Sequence, residues 1–163
     1  HLDELVQEAR AYFDVSEISE ASVLESELKK KGQHRPTVGL CGMGNHKFFL
    51  LELKSSLDLA TILPGVSSRQ AELDVVILHR LILEKCMGIS EDDVRAGKFL
   101  SYVRGFDAAI HQVRKKDSQV AFLLNATRMN QVREVAFGGE VLPQKSTDFY
   151  PKVLSGLAMY CMD

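Results

Sequence analysis

Residues His46–Lys54 constrain the fold more than any other segment. Phe48, Phe49, Leu50, Leu51 and Leu53 put apolar side chains on both faces of any strand they form. A strand that is apolar on both faces is covered on both faces, so it belongs in the middle of a sheet. Thr37–Met43 precedes it with similar character, and Gly44-Asn45 between the two is a turn signal, so the pair reads as a hairpin. A sheet built around such a hairpin is expected to be covered by helices.

The remaining periodicities supply them. Leu2, Leu5, Val6, Ala9 and Phe13 share one helical face, so Leu2–Phe13 reads as a helix, followed by a short extended link at Asp14–Ile18. Ser19 is placed to cap a second helix through about Lys31. Lys29, Lys30 and Lys31 suit its negative end, and Gly32 is placed to stop it. Ser67 with Gln70 fits a capping box opening the longest helix, to about Met87. Its apolar residues, from Leu73 through Leu83, cover most of its circumference, which marks a buried helix.

A short capped turn at Ser90–Gly97 follows. Then come a strand at Phe99–Val103, a helix on Phe106, Ala109, Ile110 and Val113, and a strand at Gln119–Leu124. A helix from Thr127 to Phe137 and a final strand at Val153–Cys161 complete the order. The expected class is α+β or mixed α/β, with one mixed sheet of about five to six strands covered by helices. Any parallel pair in the β-α-β-α-β tail should cross over right-handed. No internal boundary divides residues 1–163, a length that suits one domain. The chain starts at His1 rather than Met, which reads as a piece of a longer protein.

Composition narrows the function classes. The apolar run Val75–Leu83 is broken by His79 and Arg80, well short of the roughly 20 residues of a membrane span. Cys41, Cys86 and Cys161 are odd in number and lack Cys-x-x-Cys spacing, so neither a disulfide framework nor zinc is indicated and a cytoplasmic setting is expected. A net charge of −2 argues against a dedicated nucleic-acid binder. The basic runs Lys29–Lys31 and Arg114–Lys116 end helices, where cations are favoured anyway.

Two motifs resemble phosphate loops and fail the context. Gly39, Gly42 and Gly44 precede a strand where a dinucleotide fingerprint opens a helix, so they read as a hairpin turn. Gly139 to Ser146 nearly matches a P-loop, but Gln144 replaces the second glycine and no strand leads in.

Two sites remain. His79 is placed to act as a general base and Arg80 as an anion clamp, although Arg80 is also spaced to pair with Glu84. The favoured reading of the two is structural. The densest chemistry is Pro143–Lys152, where Lys145, Ser146, Thr147, Tyr150 and Lys152 lie between two chain-stiffening prolines. Such a segment suits phosphate or carboxylate, and equally suits a surface loop whose Ser and Thr bond local backbone.

At this segment the sequence resembles a known family. Pro143–Lys152 followed by Leu154-Ser-Gly-Leu157 looks like the C-terminal signature of the family catalogued as domain of unknown function 1015. Leu78-His79-Arg80-Leu81, Ala121-Phe-Leu-Leu124 and the helix end Gln131–Gly139 resemble its pattern too, so the likeness runs from about residue 70 onward. Leu142 stands where Met is expected, and Asp148 where an aromatic residue or His is usual.

The resemblance implies a larger protein whose N-terminal half carries an Asp-Gly-His-His-Arg motif that this chain lacks. That motif is similar to one in ParB-like and sulfiredoxin-like proteins, free-serine kinases included. It further implies phosphoryl transfer to a small hydroxy amino acid. On this view the chain gives Lys145, Ser146, Thr147, Tyr150 and Lys152 to a composite cleft, with His79 and Arg80 in second place. The partners implied are the N-terminal half and a phosphorylated or carboxylate small molecule. No cofactor is specified. The alternative is a non-catalytic interaction or ligand-binding module.

Overall fold

A computed structural model describes residues 2–44, 47–143 and 146–147. Its elements run α1 (Leu2–Ala9), β1 (Phe13–Ile18), α2 (Ala21–Lys31), β2 (Thr37–Gly42) and β3 (Phe48–Leu53). Three short helices follow, α3 (Leu59–Ile62), α4 (Ser68–Ala71) and α5 (Asp74–Ile77), the last passing directly into a π-helix at Leu78–Cys86. The chain then forms α6 (Glu91–Arg95), α7 (Phe106–Arg114), β4 (Val120–Leu124) and α8 (Met129–Phe137).

The class is α+β, and the described residues form one open four-stranded sheet in the order β1-β3-β2-β4. Every pair is antiparallel, and β2 and β3 form the expected hairpin, with Cys41 opposite Phe48. β3 is internal, as its composition requires. Phe49, Leu51 and Leu53 enter a cluster with α1 and the π-helix, whereas Phe48 and Leu50 enter a second with α2 and α7. Helices therefore cover both sheet faces, and burial on both sides explains why five of six β3 residues are apolar.

Among the described residues the sheet has four strands, all antiparallel, where a mixed sheet of five to six was expected. Asp14–Ile18 is not a link. With Phe13 it forms the edge strand β1, paired with β3 along its whole length. Helix α1 stops at Ala9, and Phe13, expected on its face, starts β1 and is buried. Phe99–Val103 is not a strand. Leu100 packs on the core, but Phe99, Tyr102 and Val103 are exposed, so the segment lacks the alternation that a paired strand presents. The expected strand Val153–Cys161 lies outside the described residues. Among those described no strands pair in parallel, so the handedness rule has nothing to act on.

The long helix from Ser67 is also corrected. Ser67 caps as expected, accepting from Gln70 N at 3.2 Å. Gln70 does not complete the box; its Nε2 donates to the Val141 carbonyl at 3.1 Å. The helix breaks at Glu72-Leu73, where Leu73 is extended and the Glu72 carbonyl accepts from Gln131 Nε2 at 3.0 Å. A side chain from α8 thus takes an acceptor that a continuous helix would have used internally. Helix α2 begins after Glu20 rather than Ser19.

Gly32 ends α2 for a reason other than left-handed backbone, since its φ is −63°. A Cβ there would collide with the Asn125 amide and lie 2.8 Å from the Leu28 carbonyl. Gly32→Ala is therefore expected to cost about 1–3 kcal/mol by overpacking. Urea titration measures it, and an unchanged midpoint would contradict the close approach. No helix among the described residues is long and apolar enough to cross a membrane.

Candidate functional site

His79 and Arg80 stand in the first turn of the π-helix. Such i→i+5 geometry is rare and is enriched at functional sites. Here Met87 N bonds the Ile82 carbonyl at 3.0 Å. Leu81, Ile82 and Leu83 are all buried, which anchors this helix on its core side and leaves His79 and Arg80 on the wall of a cleft.

That cleft has a volume of about 330 Å³. Val66, Val75, Val76, Ile89 and Val94 give it apolar surface, and Gln70, His79, Arg80, Glu84 and Glu91 give it polar groups. Pro143 completes the wall, so the polar segment that starts at Pro143 begins at the same cleft. The segment leading there is tied down. Ser67 Oγ donates to Glu140 Oε2, Arg69 Nη1 lies 3.2 Å from Glu140 Oε1, and Gln70 holds Val141.

The electrostatics are specific. Burial pushes the His79 pKa below its ordinary value, and the Glu91 carboxylate opposes that shift. Its imidazole is mainly neutral at pH 7 and can accept a proton. Arg80 Nη1 lies 3.1 Å from Glu84 Oε2 and 3.6 Å from Glu91 Oε2. The Glu84 pair is the one that spacing anticipated. Glu91 comes from a separate helix, so no local spacing pointed to it. One arginine against two glutamates leaves the cleft's described ions with a net charge of one negative.

The second candidate is only partly described. Lys145, Tyr150 and Lys152 lie outside the described residues. Ser146 uses its hydroxyl locally, with Oγ donating to the Pro143 carbonyl at 2.7 Å and its N–H reaching the same carbonyl at 3.2 Å. That is the turn chemistry of a surface loop. Thr127 Oγ1 donates to the Ser146 carbonyl at 2.6 Å, which docks the segment onto the start of α8. Thr147 is half-buried.

A polar cluster that no sequence motif announced lies at the junction of α2, β2, α5 and α8. Asp74 Oδ1 accepts from Thr37 N at 3.3 Å, and Oδ2 accepts from Asn125 Nδ2 at 3.5 Å. Arg128 Nη1 donates to the Gly32 carbonyl at 2.6 Å, while its buried Nε has no partner among the described residues. Burial pushes the Asp74 pKa up to about 6, against the opposing hydrogen bonds and Arg128 charge.

Elsewhere there is less chemistry. A wider and more open depression of about 460 Å³ lies between α2 and α7, beside His111 and Arg114. Burial pushes the Cys41 thiol up, and that of Cys86 up to about 11, so both are poor nucleophiles at neutral pH. Among the described residues no group of His, Cys, Asp and Glu is placed to hold a metal ion. Comparison of the chain with protein-family models, curated proteins and solved structures finds no match.

Proposed function

We propose that this chain is the substrate-binding, C-terminal half of a small-molecule enzyme of phosphotransferase type. The cleft beside the π-helix takes the substrate. His79 accepts a proton from the attacking hydroxyl, and Lys145 with its neighbours through Lys152 neutralises the phosphate or carboxylate. One observation carries this reading: Pro143, the first residue of the polar segment, shares a wall with His79 and Arg80. A cleft of this size, with apolar and polar groups in about equal share, can hold a small molecule and fix its orientation. The phosphotransferase element rests on the family resemblance.

Inorganic phosphate titrated into the chain tests it. The His79 ring resonances should shift saturably, and Lys145→Ala should weaken binding about tenfold, the loss expected for one charge-assisted hydrogen bond. Unchanged affinity in that variant would remove Lys145 from the site.

The reading as an interaction module draws on a different surface. Met129 and Phe137 on α8 are 68% and 80% exposed, with Arg133 stacked on the Phe137 ring at 5.5 Å. Val141 beyond them is 84% exposed. Docking on this face without any phosphate response at His79 would favour the module.

A further inference from the structure

Among the described residues, both ion pairs of Arg80 are shortest at the same nitrogen. Glu84 and Glu91 each make their shortest approach at Nη1, and among the described residues Arg80 donates one hydrogen bond, from Nη1 to Glu84, with none from Nη2 or Nε. A guanidinium grips carboxylate or phosphate through two nitrogens, and this arginine stands in a cleft with that capacity unused.

The two glutamates are not equivalent. Glu84 sits one turn away on the same helix and keeps the guanidinium in place. Glu91 reaches in from α6, at the longer distance of 3.6 Å, and has a closer partner in Arg95 at 3.0 Å. It is 65% exposed, so leaving Arg80 strands no buried charge. An exposed pair of this kind is weak.

Helix α6 is lightly held by the rest of the fold. Ser90 Oγ donates to Asp93 Oδ2 at 2.6 Å and accepts from Asp93 N at 3.2 Å, so the helix closes its own first turn. It buries none of its residues fully, and only Val94 is partly packed on the core. Gly88 before it and Gly97 after it both have φ of +67°, and a Cβ at either would meet open space. Few buried contacts and glycine boundaries are the features of a low-stability segment.

We propose that Glu91 is a latch, an internal carboxylate that a small-molecule carboxylate or phosphate displaces from Arg80, releasing α6 as it binds. The inference rests on the cleft being a small-molecule site. Because Glu91 competes with the ligand, ligand and α6 closure oppose each other by the same free energy in both directions.

Inorganic phosphate is the probe, followed by NMR at Arg80 Nε–Hε, the His79 ring and the α6 amides. In the native chain the α6 amides should shift together with Arg80. Glu91→Gln should bind phosphate about two- to fivefold more tightly, the factor that an exposed pair is worth. Its α6 amides should already lie near the phosphate-bound positions. Asp92→Asn removes a neighbouring charge that does not reach Arg80, and should leave affinity unchanged. Equal tightening in Asp92→Asn would overturn the latch in favour of a general charge effect. So would saturable shifts at Arg80 and His79 with no change in Glu91→Gln, while the small-molecule reading would stand. No saturable shift in any of the proteins would remove both.

Discussion

Leu51→Ala lowers the stability of this fold by about 2–5 kcal/mol, and Leu50→Ala, its neighbour on the opposite face of β3, lowers it by a similar amount. Both side chains are almost fully buried, Leu50 at 1% exposure and Leu51 at 0%. They face different clusters. Leu51 packs with α1 and the π-helix, and Leu50 packs with α2 and α7. Each truncation removes apolar burial and leaves a cavity in a wall that cannot fully collapse. Equilibrium urea unfolding of the two variants measures the effect. A cost below about 1 kcal/mol for either one would mean that its sheet face is open, contrary to a two-sided core.

The second large effect is a dependence of stability on pH that Asp74→Asn abolishes. The carboxyl titrates near pH 6 in the folded chain, against 3.8 as an ordinary aspartate, because burial disfavours its charged form. The folded state therefore binds this proton more tightly than the unfolded state does. The contribution is fully present below about pH 4 and is lost as pH rises through about 6. A shift of this size is worth about 2–3 kcal/mol. The native chain should thus lose stability between about pH 4 and 7 by that amount more than Asp74→Asn does. Asparagine keeps an oxygen for the Thr37 amide and removes the buried charge. Urea midpoints of both proteins across this range provide the measurement. Parallel curves would place the titration elsewhere and make Asp74 an ordinary ionised partner of Arg128.

Much of the site's neighbourhood was legible residue by residue. The Arg80–Glu84 pair follows from i,i+4 spacing, and Ser67 as a cap follows from its place before Gln70. What no spacing conveys is Glu91, Pro143 and Gln70 meeting His79 in one cleft, since they come from four separate stretches of chain. Asp74 was equally hidden, because the single helix expected from Ser67 to about Met87 gives it no distinctive place. Its burial against Thr37 and Asn125 arises only when α5 docks between β2 and the start of α8.

The same division runs through the fold. Phe48–Leu53 by itself determined that a central strand exists, because a strand apolar on both faces has no stable exposed arrangement. The hairpin partner and the helices with a clear apolar face were likewise contained in local pattern. Tertiary structure alone decided which segments join the edges. β1, with Asp14, Ser16 and Glu17, carries little apolar signal and is a strand because β3 offers it hydrogen bonds. Phe99–Val103 carries more apolar signal and is not one. It decided too that the long apolar run from Leu73 breaks from α4 and widens into a π-helix, since Gln131 takes the Glu72 carbonyl and three successive buried side chains must all reach the core. Periodicity reports which faces want burial; hydrogen-bond partners and neighbours distant in sequence determine what finally covers them.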